Sequence, residues 1–235
     1  ADIESRRPFT ADELLPIASV SKPFMASVVM ALVDQGELKL EDPVEKYLPE
    51  FRGKRVQGHK HPAKPMTIRQ LISHTAGFWG NKGITPEKMN LIRNFKRPLD
   101  DTIDLVAKYD LVYEPGTKWV YSGVGYCVLG RVLEVALGKS LEMISQETLF
   151  RPLGLSNTTF LPSKEMRKTV PTAYLREGGQ LKARASLAEI DELRFILPGG
   201  SLFTNLDALA AFGQMHMNDG FYNGKRVLSE KSVTE

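Results

Sequence analysis

A serine and a lysine stand three residues apart in Ile17-Ala18-Ser19-Val20-Ser21-Lys22-Pro23-Phe24. If a helix begins there, the two share a face with Cβ atoms about 5–6 Å apart, so the amine reaches the hydroxyl. A serine hydroxyl is a weak nucleophile until a neighbouring base takes its proton. A lysine serves as that base only where burial or a nearby cation loosens its own proton. The N-terminus of a helix adds unpaired N–H groups and partial positive charge, which favour an oxyanion forming beside the serine. A serine N-cap followed by a surface lysine fits the same pattern, and such a pair arises readily by chance. Apolar residues on both sides, Ile17-Ala18 and Phe24-Met25, point to a partly buried helix start.

The second group is Glu114-Pro115-Gly116-Thr117-Lys118-Trp119-Val120-Tyr121-Ser122-Gly123. A Pro-Gly turn, a short extended run and then a helix would present Tyr121 at a loop–helix junction. A phenol beside an ammonium loses its proton more easily and can relay protons to a leaving group or water. A tyrosine that merely packs, with its hydroxyl paired, is the plainer reading of the same residue.

Helices must position these groups, and their signals are good. The pattern predicts one from about Ser19 to Gln35, with Phe24, Val28, Ala31 and Leu32 at helical spacing and Gly36 at the stop. Thr67 and Gln70 form a capping-box pattern ahead of Ile68, Leu71 and Ile72. Asp100 or Asp101 is placed to cap a helix through about Lys108, and Ser122 to begin one that ends at Gly138. Ser140 caps the next, through Phe150, and Thr204 or Asn205 opens another through Met217, closed by Gly220. Strand signals are poor: only 158–161 and 173–175 read as extended.

The 235 residues are enough to bury a real core, and 42% hydrophobic with 25% charged residues is ordinary for a globular protein. The net charge of +3 is scattered, which argues against a nucleic-acid surface. The nearest basic run, Lys54 to Lys64, is broken by Gly53, Gly58, Pro62 and Pro65 and reads as a solvated loop. The single cysteine, Cys127, rules out an internal disulfide framework and reads as a buried, inert thiol. No apolar stretch reaches the length of a membrane span, and no histidine has metal-ligand spacing with another ligand.

Taken together, Ser-Val-Ser-Lys and, about a hundred residues on, Tyr-Ser-Gly resemble the first two boxes of a known family. It comprises class C β-lactamases, low-molecular-mass penicillin-binding proteins and esterases, including the family VIII type, built on that fold. Leu38 to Val44 with Tyr47-Leu48-Pro49, Thr67 to Gly77, Glu114-Pro115-Gly116-Thr117 and Pro198 to Thr204 look like the same family. His74-Thr75-Ala76-Gly77 resembles the family's third box in its letters. Its place at a helix end between the first two boxes fits a structural stretch, with His74 packing or hydrogen-bonding.

The resemblance implies an α+β, β-lactamase/transpeptidase-like fold: an α-helical domain plus an antiparallel sheet flanked by helices. It implies that Ser19 is acylated, that Lys22 assists its deprotonation and that Tyr121 shuttles protons. The Ser19 N–H would form half of an oxyanion hole. Where lactamases of the family carry an asparagine that binds the substrate's side-chain amide, this chain has Gly123, a substrate-binding position without a side chain. That departure leans toward esters or amides other than β-lactams. Family members are longer at both ends, so residues 1–235 read as a single domain, incomplete at both ends. No metal or organic cofactor is implied, and the expected partner is a small ester or amide substrate. Export to a periplasm or cell surface is the family's habit. A non-catalytic descendant that binds peptidoglycan-like ligands or a protein partner remains the alternative.

Overall fold

The computed structural model describes residues 2–61, 63–82, 84–190 and 193–235. The chain runs from a two-residue strand, β1 (Leu15–Pro16), through a 3₁₀ turn over Ala18–Val20 into helix α1 (Ser21–Asp34). Pro23 is tolerated because it lies in the first turn, where the N–H groups have no intrahelical acceptor. Helix α2 (Ile68–Ile72) starts at the expected capping box, with both the Thr67 and Gln70 hydrogen bonds formed. Helix α3 (Pro86–Arg93) has Thr85 as its cap and proline at its first position. Helices α4 (Leu99–Val106), α5 (Gly123–Leu137) and α6 (Leu141–Ser145) follow, and α6 continues as a π-helical turn over Gln146–Phe150.

After the short α7 (Lys164–Lys168), strands β2 (Ala173–Glu177) and β3 (Gln180–Arg184) form an exposed hairpin about Gly178-Gly179. Strand β4 (Phe203–Thr204) leads into helix α8 (Leu206–Met217). A second hairpin, β5 (Phe221–Tyr222) and β6 (Lys225–Arg226), precedes helix α9 (Glu230–Thr234). The architecture is α+β and mostly helical, with short antiparallel pairings among the described residues.

Helix α5 is the centre of the core. It is apolar almost all round, so it can only be stable when covered. Helices α2, α4 and α6 cover it, leaving Val124, Cys127, Val128, Leu129, Val132 and Leu133 fully buried. Burial pushes the Cys127 thiol up to about 12, so it is an inert core group. Helix α1 packs on the π-helical turn, with Phe24 stacked on Phe212 and edge-on to Phe150.

The small sheet matters for position rather than for area. Leu15 pairs with Thr204 and Pro16 with Phe203, and Thr159 bridges Phe203 from the other side. The Ile17 N–H continues the pairing to the Leu202 carbonyl at 3.0 Å. The chain immediately before Ser19 is therefore tied to the 202–204 segment.

The structure differs from the sequence expectations in several places. Helix α1 begins at Ser21, not Ser19, because Ser19 and Val20 belong to the 3₁₀ turn that leads into it, a turn that starts at Ala18 with a left-handed φ of 46°. Helix α4 begins at Leu99 after Pro98, so neither Asp100 nor Asp101 caps it; both lie in its first turn and complement its dipole. Ser122 precedes α5, but its hydroxyl is buried without a partner among the described residues and does not cap the helix. The stretch 158–161 forms a single bridge rather than a strand. The basic loop is not solvated throughout, since the Lys54 ammonium is half-buried and donates to the carbonyls of Ala107 and Tyr109.

One close approach ties the core to the 198–200 segment. A Cβ built on Gly130 of α5 would stand 2.6 Å from Pro198 Cγ and 3.2 Å from Leu141 Cδ2. Gly130→Ala is expected to lower the unfolding free energy by about 1–3 kcal/mol, the usual cost of overpacking. Gly213→Ala, on the exposed side of α8 where a Cβ meets nothing within 4 Å, should instead stabilise by about 0.4–1 kcal/mol. Urea titration of the two variants measures both signs.

Candidate active site

Ser19 sits on the 3₁₀ turn between β1 and α1, with its side chain exposed. The turn is held by Ser21, whose buried hydroxyl donates to the Ala18 carbonyl at 2.5 Å and accepts the Leu202 N–H at 3.1 Å. Ala18 is thereby kept in a backbone conformation that a non-glycine residue avoids. The Ser19 N–H finds no protein acceptor among the described residues and remains available to an incoming oxygen.

Lys22 lies one turn along α1 and reaches back. Its Nζ donates to Ser19 Oγ at 3.3 Å and to the Gly199 carbonyl at 2.6 Å. The carbonyl fixes the amine against the serine. Lys22 Nζ also stands 4.7 Å from the centre of the Tyr121 ring and 5.4 Å from that of Tyr126, where aromatic faces favour a cation.

Tyr121 comes from the other side of the cleft, at the junction ahead of α5. Its hydroxyl donates to Ser19 Oγ at 2.7 Å, across 102 residues of sequence. Three hydrogen bonds, to His74 and Asn81, hold this junction. The Val120 N–H donates to the His74 carbonyl at 2.9 Å, the Asn81 N–H to the Tyr121 carbonyl at 3.1 Å, and the Ser122 N–H to His74 Nδ1 at 3.2 Å. The His74 ring leans against Tyr121, with centroids 4.7 Å apart. His74 therefore packs and hydrogen-bonds, and acceptance of a backbone N–H occupies the lone pair that a second proton would need. Burial, reinforced by the Lys22 charge, lowers its pKa.

Burial alone would raise the pKa of Tyr121. Hydrogen bonding with Lys22 and Ser19, together with the Lys22 charge, outweighs it and holds the phenol below its ordinary value. Tyr126 shows the contrast: buried beside the same ammonium and beside Tyr121, it is pushed up to about 12.

Ser19 and Lys22 open into a cavity of about 170 Å³ lined also by Asn81, Met89, Ile92, Arg93, Gly123 and the 197–200 segment. Gly123 also lines the cavity, with no side chain to fill it. A Cβ there would stand 3.2 Å from Ile92 Cδ1 and 3.4 Å from Asn81 Oδ1. The Gly123 N–H donates to Asn81 Oδ1 at 2.9 Å. A larger hollow of about 270 Å³ lies elsewhere, between α1, α8 and α9, and Ser19 does not line it.

Sequence reasoning brought Ser19, Lys22, Tyr121 and Gly123 to this place and missed three contributors. The Gly199 carbonyl has no side chain to give it away. Asn81 follows Gly77 in a loop with no motif of its own. The α3 residues Met89, Ile92 and Arg93 were announced only by the helix-start signal Thr85-Pro86-Glu87. No group of three or more His, Cys, Asp or Glu among the described residues is arranged to hold a metal ion.

A family model described as Beta-lactamase matches residues 1–234. The chain belongs to the beta-lactamase family. Within it, the chain is 32% identical to "Penicillin-binding protein 4" of Amycolatopsis lactamdurans, over 95% of this chain and 56% of that protein. It is 35% identical to "Esterase EstB" of Burkholderia gladioli, over 73% of this chain and 44% of that protein. The chain thus spans about half the length of these relatives. Among solved structures, EstCE1, titled a hydrolase with promiscuous acyltransferase activity, superposes with a TM-score of 0.83 at 25% identity, over 98% of this chain and 64% of that one. The octameric penicillin-binding protein homologue from Pyrococcus abyssi, at 24% identity, shares the fold with a TM-score of 0.77, over 99% of this chain and 50% of that one. The beta-lactamase/transpeptidase-like fold and the hydrolase character of the family follow. No helix among the described residues is long and apolar enough to cross a membrane.

The electrostatics of the beta-lactamase-like site can be tested directly. In Lys22→Met the ammonium that opposes burial is gone, so the Tyr121 phenol should ionise at higher pH than in the parent protein. Tyrosinate absorbance near 295 nm, with Tyr121→Phe subtracted as reference, reads the midpoint. The expected shift is upward.

Proposed function

We propose that this chain carries the catalytic centre of a serine hydrolase acting on carboxylic esters or amides through an acyl-enzyme. The observation that supports it best is the convergence of Tyr121 OH (2.7 Å) and Lys22 Nζ (3.3 Å) on one serine oxygen at the mouth of a cavity. Such a nucleophile with two proton-handling neighbours is what acyl transfer requires.

In this reading the Tyr121–Lys22 pair takes the Ser19 proton as Oγ bonds to the substrate carbonyl carbon. The negative charge gathers on the former carbonyl oxygen, which the Ser19 N–H faces. The bond from that carbon to the alcohol oxygen or amide nitrogen then breaks, and the leaving group departs with the proton that Ser19 gave up. Water repeats the sequence against the acyl-enzyme: its oxygen bonds to the carbon, one proton passes through the pair back to Ser19 Oγ, and the acid is released. Lys22 keeps the phenol low, while the Gly199 carbonyl and His74 fix the two groups in place. The domain reading is part of the same proposal: residues 1–235 form one portion of a single beta-lactamase-like domain, and the rest of its sheet supplies the second oxyanion donor. A substrate-binding role for Gly123 is the room it leaves, and the esterase named among the relatives favours esters over lactams.

A fluorophosphonate probe should label the intact protein at Ser19, with the added mass on the peptide containing that residue and none in Ser19→Ala. Equal labelling of both proteins would overturn the assignment. Short-chain ester hydrolysis should fall by about 10²–10⁴-fold in Tyr121→Phe or Lys22→Ala, the scale of general acid–base catalysis. Unchanged hydrolysis in both variants would remove the pair from the mechanism.

A further inference from the structure

The cavity beside Ser19 has an unbalanced charge. Among the described residues its lining includes Lys22 and Arg93 and no carboxylate. Lys22 is engaged with Ser19 and Gly199, whereas the guanidinium of Arg93, the last residue of α3, makes no hydrogen bond or ion pair among the described residues. The segment around it is basic. Between residues 81 and 98 stand Lys82, Lys88, Arg93, Lys96 and Arg97 against one acid, Glu87, and that carboxylate accepts a hydrogen bond from the Tyr109 hydroxyl at 2.5 Å. None of the five cations is in an ion pair among the described residues. Of the five, Arg93 alone lines the cavity, and Lys88 lies over the Trp79 and Tyr109 rings.

The cavity floor is apolar: Met89, Ile92 and Leu197 line it, and Gly123 leaves its space open. Asn81 stands beside that space. Its Oδ1 accepts the Gly123 N–H, which fixes the amide's orientation and leaves the two Nδ2 protons without an acceptor among the described residues. At about 170 Å³ the cavity is smaller than the roughly 300–1,000 Å³ of sites for drug-sized ligands, so it suits a short chain. Tyr121 does not line it. A leaving group must face the phenol that returns its proton, so the group entering this cavity is the acyl half.

We infer that Arg93, with Asn81 in the lining of the same cavity, is a specificity-determining residue that selects short acyl groups ending in a carboxylate, as in half-esters of small dicarboxylic acids. The inference rests on the hydrolase reading above. The methylene chain lies on Met89, Ile92 and Leu197, and the distal carboxylate meets the Arg93 guanidinium and the Asn81 amide at the rim.

The test compares three esters in the intact protein: ethyl hydrogen glutarate, its neutral isostere ethyl glutaramate, and carboxymethyl butyrate, in which the charge sits in the alcohol half. The expected order of kcat/KM places the half-ester above its amide isostere by about 5-fold or more, the scale of a partly exposed charge-assisted contact. That ratio should collapse toward one in Arg93→Gln and be partly kept in Arg93→Lys, while carboxymethyl butyrate gains nothing from the charge. A ratio at or below one in the parent protein, a ratio unchanged in Arg93→Gln, or an equal preference for carboxymethyl butyrate overturns the inference and leaves the hydrolase reading standing. Turnover of none of the three esters overturns the inference, and it overturns the hydrolase reading as well where the fluorophosphonate also fails to label Ser19.

Discussion

The Ser21 hydroxyl is the small contact on which the site's geometry rests. It donates to the Ala18 carbonyl and accepts the Leu202 N–H, and it does so in full burial. A buried hydroxyl that lost either partner would leave a polar group stranded at a cost of about 1–3 kcal/mol. That penalty holds Ala18 in its left-handed turn and keeps Ser19 off the helix proper, where its oxygen is accessible. The same hydroxyl registers the 202 segment against α1, and that segment brings the Gly199 carbonyl to Lys22. Nucleophile, amine and carbonyl are thus set by one side chain that does no chemistry.

Around that frame the electrostatics work by opposition. Burial of a phenol favours its neutral form, and a nearby ammonium favours its anion. At Tyr121 the ammonium prevails because the ring is only partly covered and Lys22 is close. At Tyr126, deeper and within reach of the same cation, burial prevails. Two tyrosines beside one lysine therefore have different protonation behaviour, and position alone separates them. His74 stays out of this competition. Its Nδ1 is occupied by a backbone N–H, so it acts as a brace for the Tyr121 junction.

Much of this was legible in the chain and some was not. Helical spacing revealed α1, α2, α5 and α8, because amphipathic or fully apolar runs with glycine stops leave a plain pattern. The Ser19–Lys22 spacing was visible as a pair. The Tyr121 contact was not, since nothing local joins residues 102 positions apart, and it came within reach only through family likeness. The hairpin at 173–184 was half seen. Its Gly178-Gly179 turn, with both φ values positive, was the available signal, but exposed strands that bury nothing lack the alternation that marks a strand. Helix α3 carried Thr-Pro-Glu at its start and was passed over because its apolar face is short. The Ala18 turn and the Gly199 carbonyl had no signal, for a backbone conformation forced by a distant hydroxyl leaves no trace in residue type.

The contact between Gly130 and Pro198 gives the cleft two walls of unequal freedom. The wall formed by the 197–200 segment is pressed against the central helix with no room for a methyl group. Few replacements there would leave the Lys22 geometry intact. The facing wall is α3, an eight-residue helix with only Leu91 and Ile92 buried, which can be exchanged with little disturbance to the core. Diversification of substrate choice on this scaffold should therefore accumulate on α3 and its flanking loops, with the opposite side inherited almost unaltered. A chemist seeking new selectivity would randomise Met89 and Arg93 before touching anything near the prolyl ring.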